Sequence, residues 1–119
     1  MRWRNASIPE PFGTVTSDQL LALQSEKDFQ QWVSDHASVK GWLVYHTHDS
    51  RRSAKGFPDL VMARKGKVIF AELKRVGKKP TKAQWEWLNT ISEGDVPKPY
   101  LEAYFWTPHN KEDIRRILA

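Results

Sequence analysis

Two strand-like runs, about Pro58–Arg64 and Lys67–Lys74, meet at the dipeptide Lys65-Gly66, and this junction limits how the chain can fold more than any other feature. Read as a two-residue turn, with Gly66 supplying the positive φ such turns need, it makes paired residues sum to 131. Arg64 then faces Lys67, and Asp59 faces Glu72. Residues directly opposed on one face have Cβ atoms roughly 4.5–5.5 Å apart. Two carboxylates so placed repel unless a proton or a cation lies between them. Lys74, two residues beyond Glu72, emerges from the same face. Lys-Gly is a weaker turn signal than Asn-Gly, and a one-residue slip would send the two acids to opposite faces.

Helical patterns surround these strands. Residues 1–15 carry two Pro and a Gly without periodicity and read as an arm, which leaves 16–119 as a single domain. From Thr16 to about Ala37 the chain reads helical, in one piece or two, with Ser25 and Asp28 marking a helix start. Phe29, Trp32, Val33 and His36 follow at helical spacing. Gly41 ends that helix, and Trp42–Thr47 is rich in strand formers. A basic loop, His48 to Gly56, leads into the hairpin. After the turn Gly77–Pro80, Thr81 opens a helix to about Glu93, Tyr100–Trp106 reads as a strand, and a short helix runs from about Lys111 to Leu118. The order α-β-β-β-α-β-α predicts a mixed α/β (α+β) domain, one sheet flanked by helices.

Charge sharpens the reading. The 119 residues carry a net charge of +5, and no Cys, which excludes disulfides and thiolate metal sites and suits an intracellular, cytoplasmic setting. No apolar stretch approaches the ~20 residues that span a bilayer. Between Arg51 and Lys82 eleven basic residues stand against two acids, Asp59 and Glu72, a local balance of +9. A merely solvated surface would mix signs, so this window reads as a phosphate-binding surface that keeps two acids for one purpose. Two carboxylates supply the oxygen ligands that Mg2+ or Mn2+ prefers. Such a metal polarises a phosphoryl oxygen and acidifies a bound water, while a lysine beside it orients the water or stabilises charge on phosphate. Phosphodiester cleavage is the chemistry this set of groups suits.

The same residues carry a resemblance. Gly56-Phe57-Pro58-Asp59, twelve intervening residues, then Glu72-Leu73-Lys74 resembles the PD-(D/E)XK nuclease core, and more narrowly its VRR-NUC branch, found as small phage and bacterial proteins and in larger repair nucleases. The likeness spans about Ser25 to Ile117. It implies a restriction-endonuclease-like αβββαβ core and a Mg2+- or Mn2+-dependent endonuclease acting on DNA. Asp59 and Glu72 would be metal ligands, the Leu73 carbonyl a further one, and Lys74 the catalytic lysine. Glu26 looks like the family's helical acid near the metal, though an acid in a helix's first turn also meets the macrodipole favourably. Gln84 resembles the family's glutamine on the second helix, and Thr81-x-x-Gln84 is equally a capping box.

Arg51, Arg52, Lys55, Lys78, Lys79, Lys82 and His48 are the candidate DNA contacts. His46-x-His48-Asp49 would offer a zinc pair on one strand face, but the only other histidines are His36 and His109. Local packing of His46 is the better reading. Among the tryptophans, Trp32, Trp42 and Trp106 fit core positions, whereas Trp85 and Trp3 are candidates for DNA or subunit contacts. A non-catalytic nucleic-acid-binding module of the same fold would explain the charge equally well, but not why the two acids of the basic window face each other beside Lys74. The substrate structure (four-way junction, flap, nick or duplex) stays open. Symmetric junctions call for two sites, and hence for a homodimer of this one-site chain.

Overall fold

The computed structural model describes residues 16–48, 53–93 and 100–119, so the arm, Asp49, Arg51 and Arg52 lie outside the described residues. In chain order the elements are α1 (Ser17–Leu23), α2 (Glu26–Val39), β1 (Leu43–His46), β2 (Leu60–Arg64), β3 (Lys67–Leu73), α3 (Lys82–Ser92), β4 (Leu101–Trp106), a 3-10 turn (Pro108–Asn110) and α4 (Lys111–Leu118). The first helical stretch is therefore two helices. Each has its own cap: Thr16 and Gln19 form a capping box, and Ser25 accepts the Asp28 N–H at 3.0 Å.

The four strands lie side by side in the order β1-β2-β3-β4. The first three run antiparallel to their neighbours, and β4 returns parallel to β3 after α3, as a helical crossover allows. Strand β2 pairs with β3 from Arg64↔Lys67 to Leu60↔Ala71, the register expected of a two-residue turn. Both turn residues have positive φ, 50° at Lys65 and 81° at Gly66. That is the condition for a tight turn whose twist matches the flanking strands.

Alternation along this register sorts the sheet into two faces. Leu60 and Met62 of β2, Ile69, Ala71 and Leu73 of β3 and Trp106 of β4 form one buried layer. It meets Phe29, Val33 and Ala37 of α2 and Ile114 and Leu118 of α4. Burying each such side chain is worth about 1.5–3 kcal/mol, so α2 and α4 hold to the sheet by their apolar stripes. By contrast, α1 buries no residue and leaves Leu23 74% exposed. The second face carries α3. Leu88 is buried there, Trp85 meets Phe105 edge-on, and Trp87 meets Phe57, which in turn meets Phe70. Trp85 and Trp87 thus diverge around the helix, as their two-residue spacing requires. Trp42 and Trp106 are core residues, and Trp32 packs at the edge of the core. Among the described residues no helix is long and apolar enough to cross a membrane.

One glycine links the two halves of the molecule. Gly56 has φ +81°, and a Cβ there would lie 2.5 Å from the Ala83 carbonyl carbon and 2.6 Å from its oxygen. Only glycine lets the segment before β2 lie directly on the first turn of α3.

Gly56→Ala is expected to destabilise the protein by roughly 2–4 kcal/mol, combining a left-handed backbone with an unrelieved backbone clash; urea denaturation monitored by tryptophan fluorescence measures it. Lys65→Asn is expected to stabilise by about 0.5–1 kcal/mol, because Asn tolerates the left-handed conformation that Lys65 adopts at a penalty. A lower midpoint for Lys65→Asn in the same measurement would mean that the Lys65 side chain contributes more than its backbone strain removes.

Candidate active site

The end of the hairpin away from its turn is where the charged groups gather. Asp59 immediately precedes β2, one step beyond the Leu60↔Ala71 pair and therefore opposite Glu72. It is held from both sides. Its Oδ2 accepts the Leu73 N–H at 2.8 Å, and its backbone carbonyl accepts the Thr47 N–H at 2.9 Å. The Thr47 hydroxyl also donates to the Pro58 carbonyl at 2.7 Å. No sequence motif points to Thr47. Its part in fixing Asp59 comes from the pairing of β1 with β2 alone.

Glu72 is 1% exposed, the one charged residue among the described buried set. Neither carboxylate oxygen has a hydrogen-bond partner. The Lys74 Nζ lies 3.4 Å from Oε2, an ion pair but beyond the usual 2.7–3.2 Å of an N–H···O hydrogen bond. Asp59 is near enough to share a proton with Glu72, without closing a regular hydrogen bond to either oxygen. Burial first, and then the adjacent Asp59 carboxylate, push the Glu72 carboxyl up to about 8, and Lys74 opposes them without winning.

Glu26 opens α2, and burial together with Asp59 raises its carboxyl above the ordinary range against the pull of Lys74. Asp59 therefore influences both glutamates. The macrodipole favours an anion at this helix start, yet burial outweighs it. One turn along, Gln30 reaches His46, its amide nitrogen in hydrogen-bond contact with His46 Nε2. The His46 and His48 rings are 5.1 Å apart, and no third zinc ligand joins them among the described residues.

The buried pair suits a hard divalent cation: two carboxylate oxygens without partners face a second carboxylate. Among the described residues no three His, Asp or Glu side chains form a ready-made cation cage. Glu26 accordingly borders the Asp59–Glu72 pair and does not complete a triad of ligands. Mg2+ commonly binds through one or two carboxylates and retains several waters, so two acids and the Leu73 carbonyl form a reasonable donor set. Leu73 itself is wholly buried and holds Asp59 through its N–H.

The remaining candidates separate. Gln84 is committed to the cap of α3: its Oε1 accepts the Thr81 N–H at 2.8 Å, and its N–H donates to Thr81 Oγ1 at 3.2 Å. His48, Lys55, Lys78, Lys79 and Lys82 are all exposed. None of these four lysines has an ion-pair partner among the described residues.

A raised carboxyl has a definite pH signature. Glu72 keeps its proton in the folded protein up to about pH 8 but loses it near pH 4.5 when unfolded. Its contribution to stability is therefore complete below pH 4.5 and is lost as pH rises through 8. The metal-free protein is expected to lose on the order of 3 kcal/mol between pH 5 and pH 8 from this group. Glu72→Gln should flatten that slope, and urea midpoints across the range read it directly. Mg2+ or Mn2+ should stabilise more at pH 8 than at pH 6, because the cation must displace the proton. A pH-independent metal effect would count against Glu72 as a ligand.

Compared with known proteins, the chain has no significant match to a family model, to a curated protein or to a solved structure, so its likeness to the VRR-NUC branch is a resemblance of sequence motifs.

Proposed function

We propose that this chain is a metal-dependent endonuclease that hydrolyses phosphodiester bonds of DNA, with Mg2+ or Mn2+ as cofactor. The observation that carries the reading is Glu72: a buried carboxylate, both oxygens without a hydrogen-bond partner, opposite Asp59 and beside Lys74. A buried carboxyl group whose oxygens lack hydrogen-bond partners is expensive for a fold, whether it holds a proton or leans on Lys74 alone. A bound divalent cation supplies Lewis-acid activation of the scissile phosphate and of the attacking water.

The chain's own groups supply the rest. Asp59, fixed by Leu73 and Thr47, and Glu72, fixed by its strand, offer rigid carboxylate donors and need no rearrangement to do so. Lys74, whose side chain is 16% exposed at the mouth of the site, donates to the attacking water or to the phosphoryl oxygens as negative charge builds. Water adds to phosphorus, the bond from phosphorus to the leaving sugar oxygen breaks, and that oxygen takes up a proton. Glu26, within electrostatic reach of Asp59 and holding its proton more readily than an ordinary glutamate, supports the electrostatics of the pair. The exposed lysines would bind neighbouring phosphates, which makes binding salt dependent and indifferent to sequence. Branched, flapped or nicked DNA would be cut in preference to plain duplex, with two copies acting together on a symmetric junction. An intracellular setting agrees with the lack of Cys.

Lys74→Ala is expected to lower cleavage by at least about 100-fold while changing DNA affinity in EDTA by much less, since its contact is made in the transition state. Asp59→Asn should also abolish cleavage but keep the fold, because an Asn oxygen can still accept from Leu73. Digestion of supercoiled plasmid and of duplex, flap and four-way-junction DNAs with Mg2+ or Mn2+ tests both. Near wild-type cutting by Lys74→Ala, or no cutting of any substrate by the wild type, would overturn the reading.

A further inference from the structure

The outer flank of α3 carries a groove apart from the carboxylates. An open cavity of about 430 Å³ is lined by Lys55, Thr81, Lys82, Ala83 and Glu86. It adjoins a second of about 260 Å³, lined by Glu86, Trp87 and Thr90. Together they run from the first turn of α3 toward its C-terminal half. The volume suits one small ligand unit and is far too small for a duplex.

Two features of this groove are unexplained by folding. Lys82 stands in the first turn of α3, which contains no acid, where a cation opposes the helix macrodipole. Glu86 lies four residues along the same helix and lines the same groove, yet neither Lys82 nor Lys55 pairs with it among the described residues. Lys55 is nevertheless tied to the helix, because its carbonyl accepts the Trp87 indole N–H at 3.1 Å. Trp87 itself is wedged edge-on against Phe57. The backbones that carry the two lysines are thus held on one support, and their ammonium groups have no ion-pair partner among the described residues.

We infer that this groove holds the sugar–phosphate chain of a single DNA strand next to the scissile bond, an inference that rests on DNA being the substrate. Lys55 and Lys82 meet a phosphate at the N-terminal end of α3. Glu86 repels a second phosphate, so the stretch along Glu86, Trp87 and Thr90 takes the uncharged sugar or base. Gly56, in contact with Ala83, is three residues from Asp59, a chain span of at most about 11 Å. A strand leaving the Lys55 end of the groove would have only this short span to cover to reach Asp59. This favours substrates with an unpaired strand beside the cut, such as flaps and opened junctions, over blunt duplex.

The test is DNA binding by the full chain in EDTA, read by fluorescence anisotropy with a labelled short single strand and with a blunt duplex, across a range of salt. Lys55→Ala with Lys82→Ala is expected to lose roughly tenfold in single-strand affinity and to flatten the log–log salt slope by about 0.7, the share of the one phosphate they neutralise. Lys40→Ala with Lys65→Ala removes the same charge at the opposite end of the sheet and should change little. Glu86→Gln should tighten single-strand binding severalfold. Equal losses in both double variants, no loss in either, or a loss on duplex as large as on single strand would overturn the inference. The Lys→Gln pair at 55 and 82 gives the same readout should the alanine pair lower the melting temperature. Because the binding readout does not depend on cutting, a wild type that binds single strands through the groove but never cleaves would keep the groove as a strand-binding site and remove the endonuclease reading.

Discussion

The positive backbone angles of Lys65 and Gly66 hold the register of the β2–β3 hairpin, and both the core and the candidate site depend on that register. Strand side chains alternate with a period of two, so a slip by one residue would exchange every side chain between faces. Were β3 to slip, Ile69, Ala71 and Leu73 would leave the layer that meets α2 and α4, and Glu72 would enter it. The apolar side chains thus enforce the same register that sets Asp59 opposite Glu72. Hydrophobic burial, which is non-directional, aligns a pair of carboxylates whose own interaction is repulsive.

That repulsion is tolerated because the surroundings over-determine it. Asp59 cannot retreat, being tied to Leu73 and Thr47, and Glu72 is fixed in a paired strand. A proton on Glu72 relieves the pair, its carboxyl being pushed up by burial first and by Asp59 second, and Lys74 relieves it in part. Strain of this kind persists in folded proteins where the neighbouring structure leaves no alternative, and it gathers at sites with a function. Glu26 adds a third acid whose shift has the same two origins, burial and Asp59.

Around this centre, the contact of Gly56 with Ala83 joins the approach to β2 to the start of α3. Glycine is required there both for its positive φ and for the missing Cβ. The contact sets the start of α3 beside the approach to β2, where Trp87, Phe57 and Phe70 meet edge to face. Gln84 illustrates how one residue admits two readings. Its cap bonds explain its position within α3 completely, while its likeness to a nuclease glutamine rests on sequence alone.

Much of the architecture was legible in the residues themselves, since it follows from local spacing. The turn dipeptide predicted the hairpin register, the caps at Ser25 and Thr81 marked helix starts, and the alternation within 58–74 assigned Asp59, Glu72 and Lys74 to one face. The strands and helices fall close to where periodicity put them, with the first helical stretch divided at Gln24 and Ser25. What spacing could not determine was contact between elements distant in sequence. That β4 lies parallel beside β3, that α2 carries Glu26 to Asp59, that Thr47 secures Asp59, and that Gly56 rests on α3 all depend on how apolar stripes dock in three dimensions. The burial of Glu72 is the clearest case. Its neighbour in register could be deduced from a turn, but the loss of water from around its carboxylate, and hence its raised pKa, exists only once the helices have closed over the sheet.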